Sequence, residues 1–175
     1  EKEAVAVVLD IGATMRERLP QALEAVALLV NERILFKGQG STSDVVGLFL
    51  HTASETKNAQ AEEMGEGQYA HICEVHPMAP VTYKTLHALD RAAEEPFDPH
   101  GDEQADLIDA LCIGMMAVID YVKKLKFAKR VVLITDGTSP ARLDDDSQLD
   151  DIATELPSGV SVPAESCTLA LKIDI

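Results

Sequence analysis

Two short apolar runs that each end at an aspartate constrain the fold of this chain more than any other feature. The first, AVAVVLDIGATM, covers residues 4–15, and the second, RVVLITDGTSP, covers residues 130–140. Each run is continuous and rich in β-branched residues, which is typical of a strand buried on both faces of a parallel sheet. Ligands of such sheets bind beyond the carboxyl ends of the strands, so Asp10 and Asp136 are expected to meet in one crevice if their strands are neighbours.

Helical and strand-like patterns alternate between these runs. Apolar residues at helical spacing predict helices that begin near Pro20 and that cover residues 82–95 and 104–125. Further strands are predicted over residues 44–51, 69–76 and 167–173.

Two breaks in the pattern are also predicted. Pro77 and Pro80 are expected to end the third strand. The acidic, glycine-containing stretch 52–68 is expected to be a loop. The alternation of strands and helices along the chain predicts a single α/β domain over residues 1–175, with a mostly parallel sheet and helices on both faces.

Composition narrows the classes of function. The 175 residues carry 15 basic and 30 acidic side chains, and a net charge of −15 repels phosphate backbones. No apolar run approaches the ~18 residues of a membrane span. Three widely spaced cysteines within apolar runs suit a reducing compartment. The last residues stop in mid-pattern, so the chain is expected to be the N-terminal piece of a longer protein.

Asp10, Thr14 and Asp136 supply two carboxylates and a hydroxyl, which are groups that Mg²⁺ prefers. The segment DIGAT resembles the Asp-x-Ser-x-Ser loop of von Willebrand factor A-type domains, and TDG resembles their later aspartate loop. The resemblance implies a von Willebrand factor A-like (Rossmann-like) fold. Gly12 stands at the first serine position, and Glu103 or Gln104 stands near the position of the family's threonine.

The ligand set that the resemblance implies is therefore incomplete. We interpret Asp10, Gly12, Thr14 and Asp136 as a vestigial metal site that binds no metal, with the aspartates capping loops and helix N-termini. The alternative is a working Mg²⁺ site.

A more specific resemblance rests on an ordered set of segments. AVVLDIGATM, DVVGLFLHT, HGDEQADLIDALCIGMMAVIDYV and KKLKFAKRVVLITDGTS are similar in order and spacing to the N-terminal domain of the large Ku subunit. The resemblance covers residues 4 to about 140, and residues 140–166 match only loosely.

The Ku resemblance implies a protein-interaction domain of a nuclear heterodimer. Ku encircles broken DNA ends for non-homologous end joining and also acts at telomeres. Its ring and most contacts with the small Ku subunit come from a β-barrel absent here, while the N-terminal domain offers a surface to repair-factor peptides. The full heterodimer, not this domain alone, is then expected to bind double-stranded DNA ends. Two alternatives stay open: another intracellular A-type scaffold domain, as in a proteasome or chelatase-like assembly, or a Mg²⁺-dependent α/β enzyme.

The segment KKLKFAKR concentrates five basic residues that could contact phosphate or an acidic peptide: Lys123, Lys124, Lys126, Lys129 and Arg130. The alternative is that the first three lysines complement the dipole at the end of the long helix. The chain has no Walker loop and no nucleophile elbow, so no catalytic residue and no cofactor are predicted, despite the helicase label that Ku family members have carried.

Overall fold

A five-stranded sheet with helices on both faces forms the described part of the chain. The computed structural model describes residues 2–37, 44–65, 67–94, 105–138 and 169–174. The strands are β1 (Glu3–Asp10), β2 (Val45–His51), β3 (Ile72–Pro80), β4 (Ala128–Thr135) and β5 (Leu169–Asp174).

The strand order in the sheet is β3-β2-β1-β4-β5. The central strand β1 pairs in parallel with β2 and with β4, whereas the edge strands β3 and β5 are antiparallel to their neighbours. The predicted α/β fold is confirmed, and its parallel part consists of the three central strands. Their carboxyl ends lie side by side at one edge of the sheet.

Four α-helices accompany the sheet within the described residues: α1 (Leu19–Lys37), α2 (Ala59–Met64), α3 (Tyr83–Glu94) and α4 (Leu107–Val122). Helices α1 and α3 cover one face, and α4 covers the other. Strand β1 is apolar from Ala4 to Leu9 because it serves both cores: Val5, Val7 and Leu9 point into the first, and Ala4, Ala6 and Val8 into the second. None of the described helices combines the length and apolar character of a bilayer span.

Helix α4 lies very close to the centre of the sheet at Gly114. A Cβ atom at this position would lie 3.0 Å from Cγ2 of Val8 and 3.2 Å from Cγ1 of Val131. The side chain of Asp106 caps the helix by accepting a hydrogen bond of 2.7 Å from the amide of Ile108. The predicted helix 104–125 is thus confirmed with shorter bounds.

Two sequence-based predictions about the β2–β3 region were wrong. The stretch 52–68 contains α2, a short polar helix whose amino end is capped by Asn58, which accepts a 2.8 Å hydrogen bond from the amide of Ala61. Pro77 does not end β3, which continues to Pro80. An edge strand accommodates proline because one side of it needs no amide donor.

A partly buried ionic cluster joins the elements at the amino end of the sheet. Arg33 of α1 donates a 2.8 Å hydrogen bond to Oε2 of Glu3, and its Nε lies 3.5 Å from Oδ2 of Asp44. Arg130 of β4 lies 3.4 Å from Glu3. Asp44, whose side chain is 0% exposed, also accepts a 2.9 Å hydrogen bond from the amide of Glu3. The cluster therefore links β1 to α1, to the start of β2 and to β4.

Candidate crevice at the carboxyl ends of the strands

The carboxyl ends of β1 and β4 bring the two aspartates of the opening motifs into one crevice. Asp10 is the last residue of β1, and Asp136 follows β4 directly. These strands are neighbours, with Leu9 opposite Ile134. The loops beyond them touch, since the hydroxyl oxygens of Thr14 and Thr138 are 2.8 Å apart.

Asp10 is enclosed by protein groups. Its side chain is 0% exposed. One carboxylate oxygen, Oδ1, accepts a 2.9 Å hydrogen bond from the amide of Gly12 and lies 3.4 Å from Nδ1 of His51. The other, Oδ2, accepts a 2.7 Å hydrogen bond from the hydroxyl of Thr135. Both oxygens are therefore engaged by the fold.

These contacts decide the protonation of Asp10. Burial alone would raise the pKa of the carboxyl. The hydrogen bond and charge of His51, the amide of Gly12 and the hydroxyl of Thr135 together outweigh burial, and the pKa of Asp10 falls to about 2.

Stability is expected to depend on acid through this residue. The pKa of Asp10 lies near 3.8 in the unfolded chain and at about 2 in the folded one. A lowered pKa gives stability that is present above pH 4 and is lost as the pH falls toward 2, and the shift corresponds to roughly 2 kcal/mol. Urea unfolding of Asp10→Asn should therefore show a weaker loss of unfolding free energy between pH 4 and 2 than wild type. An equally steep loss in both proteins would contradict this assignment.

Asp136 is held by its own loop. Its Oδ1 accepts hydrogen bonds from the amide (3.0 Å) and the hydroxyl (2.6 Å) of Thr138, and its Oδ2 lies 3.8 Å from a guanidinium nitrogen of Arg18. Burial raises the pKa of this carboxyl, but the hydrogen bonds from Thr138 and Thr14 outweigh burial and lower it. Asp136 is thus an ionised carboxylate that closes a turn.

The residues of the crevice do not fit a divalent cation. Asp10 is engaged on both oxygens, and Gly12 offers no side chain; a Cβ there would lie 3.1 Å from Oδ1 of Asp10. Within the described ranges, no three His, Cys, Asp or Glu side chains form a group that could hold a metal. Glu103 and Gln104 lie outside the described residues.

His51 is the crevice residue that sequence reasoning missed. It ends β2, is 0% exposed, and stands opposite Asp10 in the register of the parallel strands. Its Nε2 lies 3.1 Å from the carbonyl oxygen of Ala105, and its Nδ1 lies 3.1 Å from the hydroxyl of Thr52. The available signal was a single ionisable residue at the end of the apolar run VVGLFLH.

Comparison with known proteins decides the family. The model of the Ku70/Ku80 N-terminal alpha/beta domain matches residues 4–171. The chain belongs to this family. The match to the Ku domain extends past residue 140, where the resemblance read from the sequence had become loose.

Several curated relatives are large-subunit proteins, which confirms the suspected resemblance to the large Ku subunit. "ATP-dependent DNA helicase 2 subunit KU80" of Oryza sativa subsp. japonica is 28% identical over 81% of this chain and 19% of its own length. "X-ray repair cross-complementing protein 5" of Dictyostelium discoideum is 29% identical over 82% of this chain and 18% of its own length. "ATP-dependent DNA helicase II subunit 2" of Neurospora crassa is 28% identical over 89% of this chain and 21% of its own length. The chain spans about a fifth of the length of these relatives.

The basic segment of this Ku domain does not form one uniform surface. Lys123, Lys124 and Lys126 are exposed in the turn after α4, which ends at Val122. Lys129 and Arg130 are half-buried on β4, and Arg130 forms an ion pair with Glu3. The three exposed lysines follow the carboxyl end of α4, whose own last turn holds no basic residue.

Proposed function

We propose that this chain is the N-terminal protein-interaction domain of a DNA-end-binding Ku subunit that acts in the nucleus. Its roles would be double-strand break repair by non-homologous end joining and telomere maintenance. The observation that carries the proposal is the match to the Ku70/Ku80 N-terminal alpha/beta domain over residues 4–171. The name of the Dictyostelium relative, which refers to X-ray repair, supports the assignment to repair.

DNA ends would be bound by the full heterodimer with the small Ku subunit, and not by this domain alone. The net charge of −15 opposes the approach of a phosphate backbone. Two of the fifteen basic side chains, Arg33 and Arg130, are also turned toward Glu3. The charge distribution therefore supports a domain that sits beside the DNA-binding ring.

The surface supports a role in docking peptides from repair factors. Large apolar side chains are exposed on the described helices and in the turn after α4: Leu28, Leu35, Met64, Tyr83, Met116, Ile119 and Leu125. Apolar side chains on an acidic surface suit short partner segments that combine apolar and basic residues. No catalytic residue and no cofactor belong to the proposal, although the names of several relatives include the word helicase.

A mobility-shift experiment tests the DNA part of the proposal. The chain alone should leave a short blunt-ended duplex unshifted at physiological salt, because its charge opposes binding. The full heterodimer serves as the positive control. If the chain shifts the duplex, and Lys123→Glu with Lys126→Glu abolishes the shift, the three-lysine turn binds DNA and the proposed division of labour is wrong.

A peptide-binding experiment tests the docking part. Fluorescent peptides tiled across end-joining factors of the same organism should include saturable binders, measured by anisotropy. Asp136→Asn should leave this binding unchanged, because the carboxylate of Asp136 is 2% exposed and is occupied by Thr138. The absence of any saturable binder would contradict a docking role.

A further inference from the structure

A lysine-rich turn at the amino end of the sheet differs in charge from the rest of the molecule. Residues 119–130 carry five basic side chains and one acidic one, Asp120, although the whole chain has a net charge of −15. We infer that the turn, residues 123–127, is a docking site for a short acidic segment of a partner protein that also carries an apolar side chain. The exposed side chains of the turn are Lys123, Lys124, Leu125 and Lys126.

Backbone hydrogen bonds fix this turn to the end of α4. The amide of Lys123 donates a 2.8 Å hydrogen bond to the carbonyl oxygen of Ile119, and the amide of Leu125 donates one of 2.7 Å to the carbonyl oxygen of Val122. Val122 is fully buried in the core beneath α4. The exposed side chains therefore stand on a backbone that is already ordered, which lowers the entropy lost when a partner binds.

A fourth lysine joins the turn from the start of β1. The ammonium nitrogen of Lys2 lies 5.8 Å from the centre of the Phe127 ring, and the carbonyl oxygen of Lys2 accepts a 2.9 Å hydrogen bond from the amide of Ala128. Leu125 is 58% exposed, and the ring of Phe127 is half-buried. The turn thus combines two accessible apolar side chains with the ammonium groups of four lysines.

The backbone of Lys123 adopts a conformation that glycine would adopt at lower cost. Its φ is 46°, in the left-handed region, and it directly follows the last residue of α4. Glycine is the usual residue after a helix when φ is positive, because a Cβ atom is disfavoured there. The dipole of α4 favours a cation near its end, but it explains neither this strain nor the exposure of Leu125.

Charge and apolar surface together select an acidic peptide as the occupant. At physiological salt, charges are screened beyond about 8 Å, so a short segment on the turn is attracted by the nearby lysines more than it is repelled by distant carboxylates. A DNA duplex is longer than the turn and also meets the surface that gives the chain its net charge of −15. A phosphate backbone would also leave Leu125 exposed, whereas an apolar side chain of a peptide would cover it.

Fluorescence anisotropy with a labelled synthetic peptide tests the site. The probe carries about eight Asp and Glu residues around a Phe-Leu pair, and a second peptide has two serines in place of this pair. The chain should bind the first peptide saturably and the second at least about fivefold more weakly, because the apolar contact with Leu125 is lost. Binding should weaken at least about tenfold between about 50 and about 500 mM NaCl.

Substitutions at the turn are compared with the same changes elsewhere on the surface. Lys123→Glu/Lys126→Glu should weaken binding at least about tenfold, and Leu125→Ser about fivefold. The matched controls are Arg16→Glu/Lys84→Glu, which changes the net charge equally, and Leu28→Ser, which removes another exposed leucine. Both controls should bind within about twofold of wild type.

Several results would overturn the proposal. One is the absence of saturable binding, and another is equal affinity for the two peptides, which would indicate unspecific attraction between charges. An equal loss in the control Arg16→Glu/Lys84→Glu would have the same meaning. Displacement of the peptide by a short DNA duplex would assign the turn to nucleic acid, and self-association that Lys123→Glu/Lys126→Glu abolishes would assign it to a second copy of the chain.

Lys123→Gly separates a role in binding from a role in stability. Glycine relieves the positive φ, so the unfolding temperature should rise by about 2 °C, while the loss of one ammonium group should weaken peptide binding about threefold. A variant that binds the peptide as tightly as wild type would overturn the proposal. The test does not depend on the proposed role in repair, since the probe is defined by its chemistry alone.

Discussion

Replacing Arg33 with alanine is expected to lower the free energy of unfolding by about 3–5 kcal/mol, because it removes one member of a buried ion pair and leaves the other in place. The side chain of Arg33 is 11% exposed, and that of its partner Asp44 is 0% exposed, so solvent screens this pair weakly. The same substitution removes the 2.8 Å hydrogen bond to Glu3. Helix α1 would then lose its polar anchor to β1 and β2.

Chemical unfolding of purified wild type and variant measures this loss. Arg16→Ala is the matched control, since Arg16 is exposed and a substitution there is expected to change stability by less than about 0.5 kcal/mol. Arg33→Ala/Asp44→Asn should recover part of the loss, because the buried charge goes with its partner. If Arg33→Ala costs under about 1 kcal/mol, the cluster is not a determinant of stability.

Gly114→Val should cost about 3 kcal/mol, by overpacking the contact between α4 and the sheet. The Cβ atom alone would lie 3.0 Å from Val8 and 3.2 Å from Val131, and valine adds two methyl groups beyond it. Both neighbours belong to central strands that are themselves packed on both faces. The helix must therefore shift outward, which opens space along its whole buried side.

The control for this variant lies on the outer side of the same helix. Met116 is 37% exposed, so Met116→Val introduces the same residue type without a clash, and its cost should stay below about 1 kcal/mol. Gly114→Ala should fall between the two, since alanine gains about 1 kcal/mol of helix propensity against a smaller clash. Equal unfolding temperatures for Gly114→Val and Met116→Val would show that α4 does not pack as closely as described.

The central part of the fold could be predicted because the sequences of β1, β4 and α4 have strong apolar patterns. Residues 4–9 are apolar without interruption and rich in valine, which is typical of a strand buried on both faces. The aspartates that end these runs placed the crevice correctly. Helix α2 could not be predicted from periodicity, because a short polar helix has no apolar face and depends on the cap at Asn58.

The chemistry of the crevice was harder to predict than its position. Sequence motifs identified Gly12 as a lost ligand position, but the histidine that contacts Asp10 comes from β2, about 40 residues away in sequence. Only the register of β1 with β2 sets His51 against Asp10. The prediction that Pro77 ends β3 was wrong for a related reason. A strand can contain proline when it lies at the edge of a sheet, and the position of β3 at the edge is known only from the assembled sheet.

The pairing of β1 with β4 also sets an order of events during synthesis. Glu3 pairs with Ala128 and Leu9 with Ile134, so the central strand is made first while its neighbour is made about 125 residues later. Contacts of such large sequence separation form slowly, and apolar strands that remain unpaired in the meantime are prone to aggregate. Helix α1 and strand β2 emerge early and can cover one face and one edge of β1, but its other face and its other edge stay exposed until α4 and β4 have been made. We therefore expect this domain to complete its fold late in its own translation.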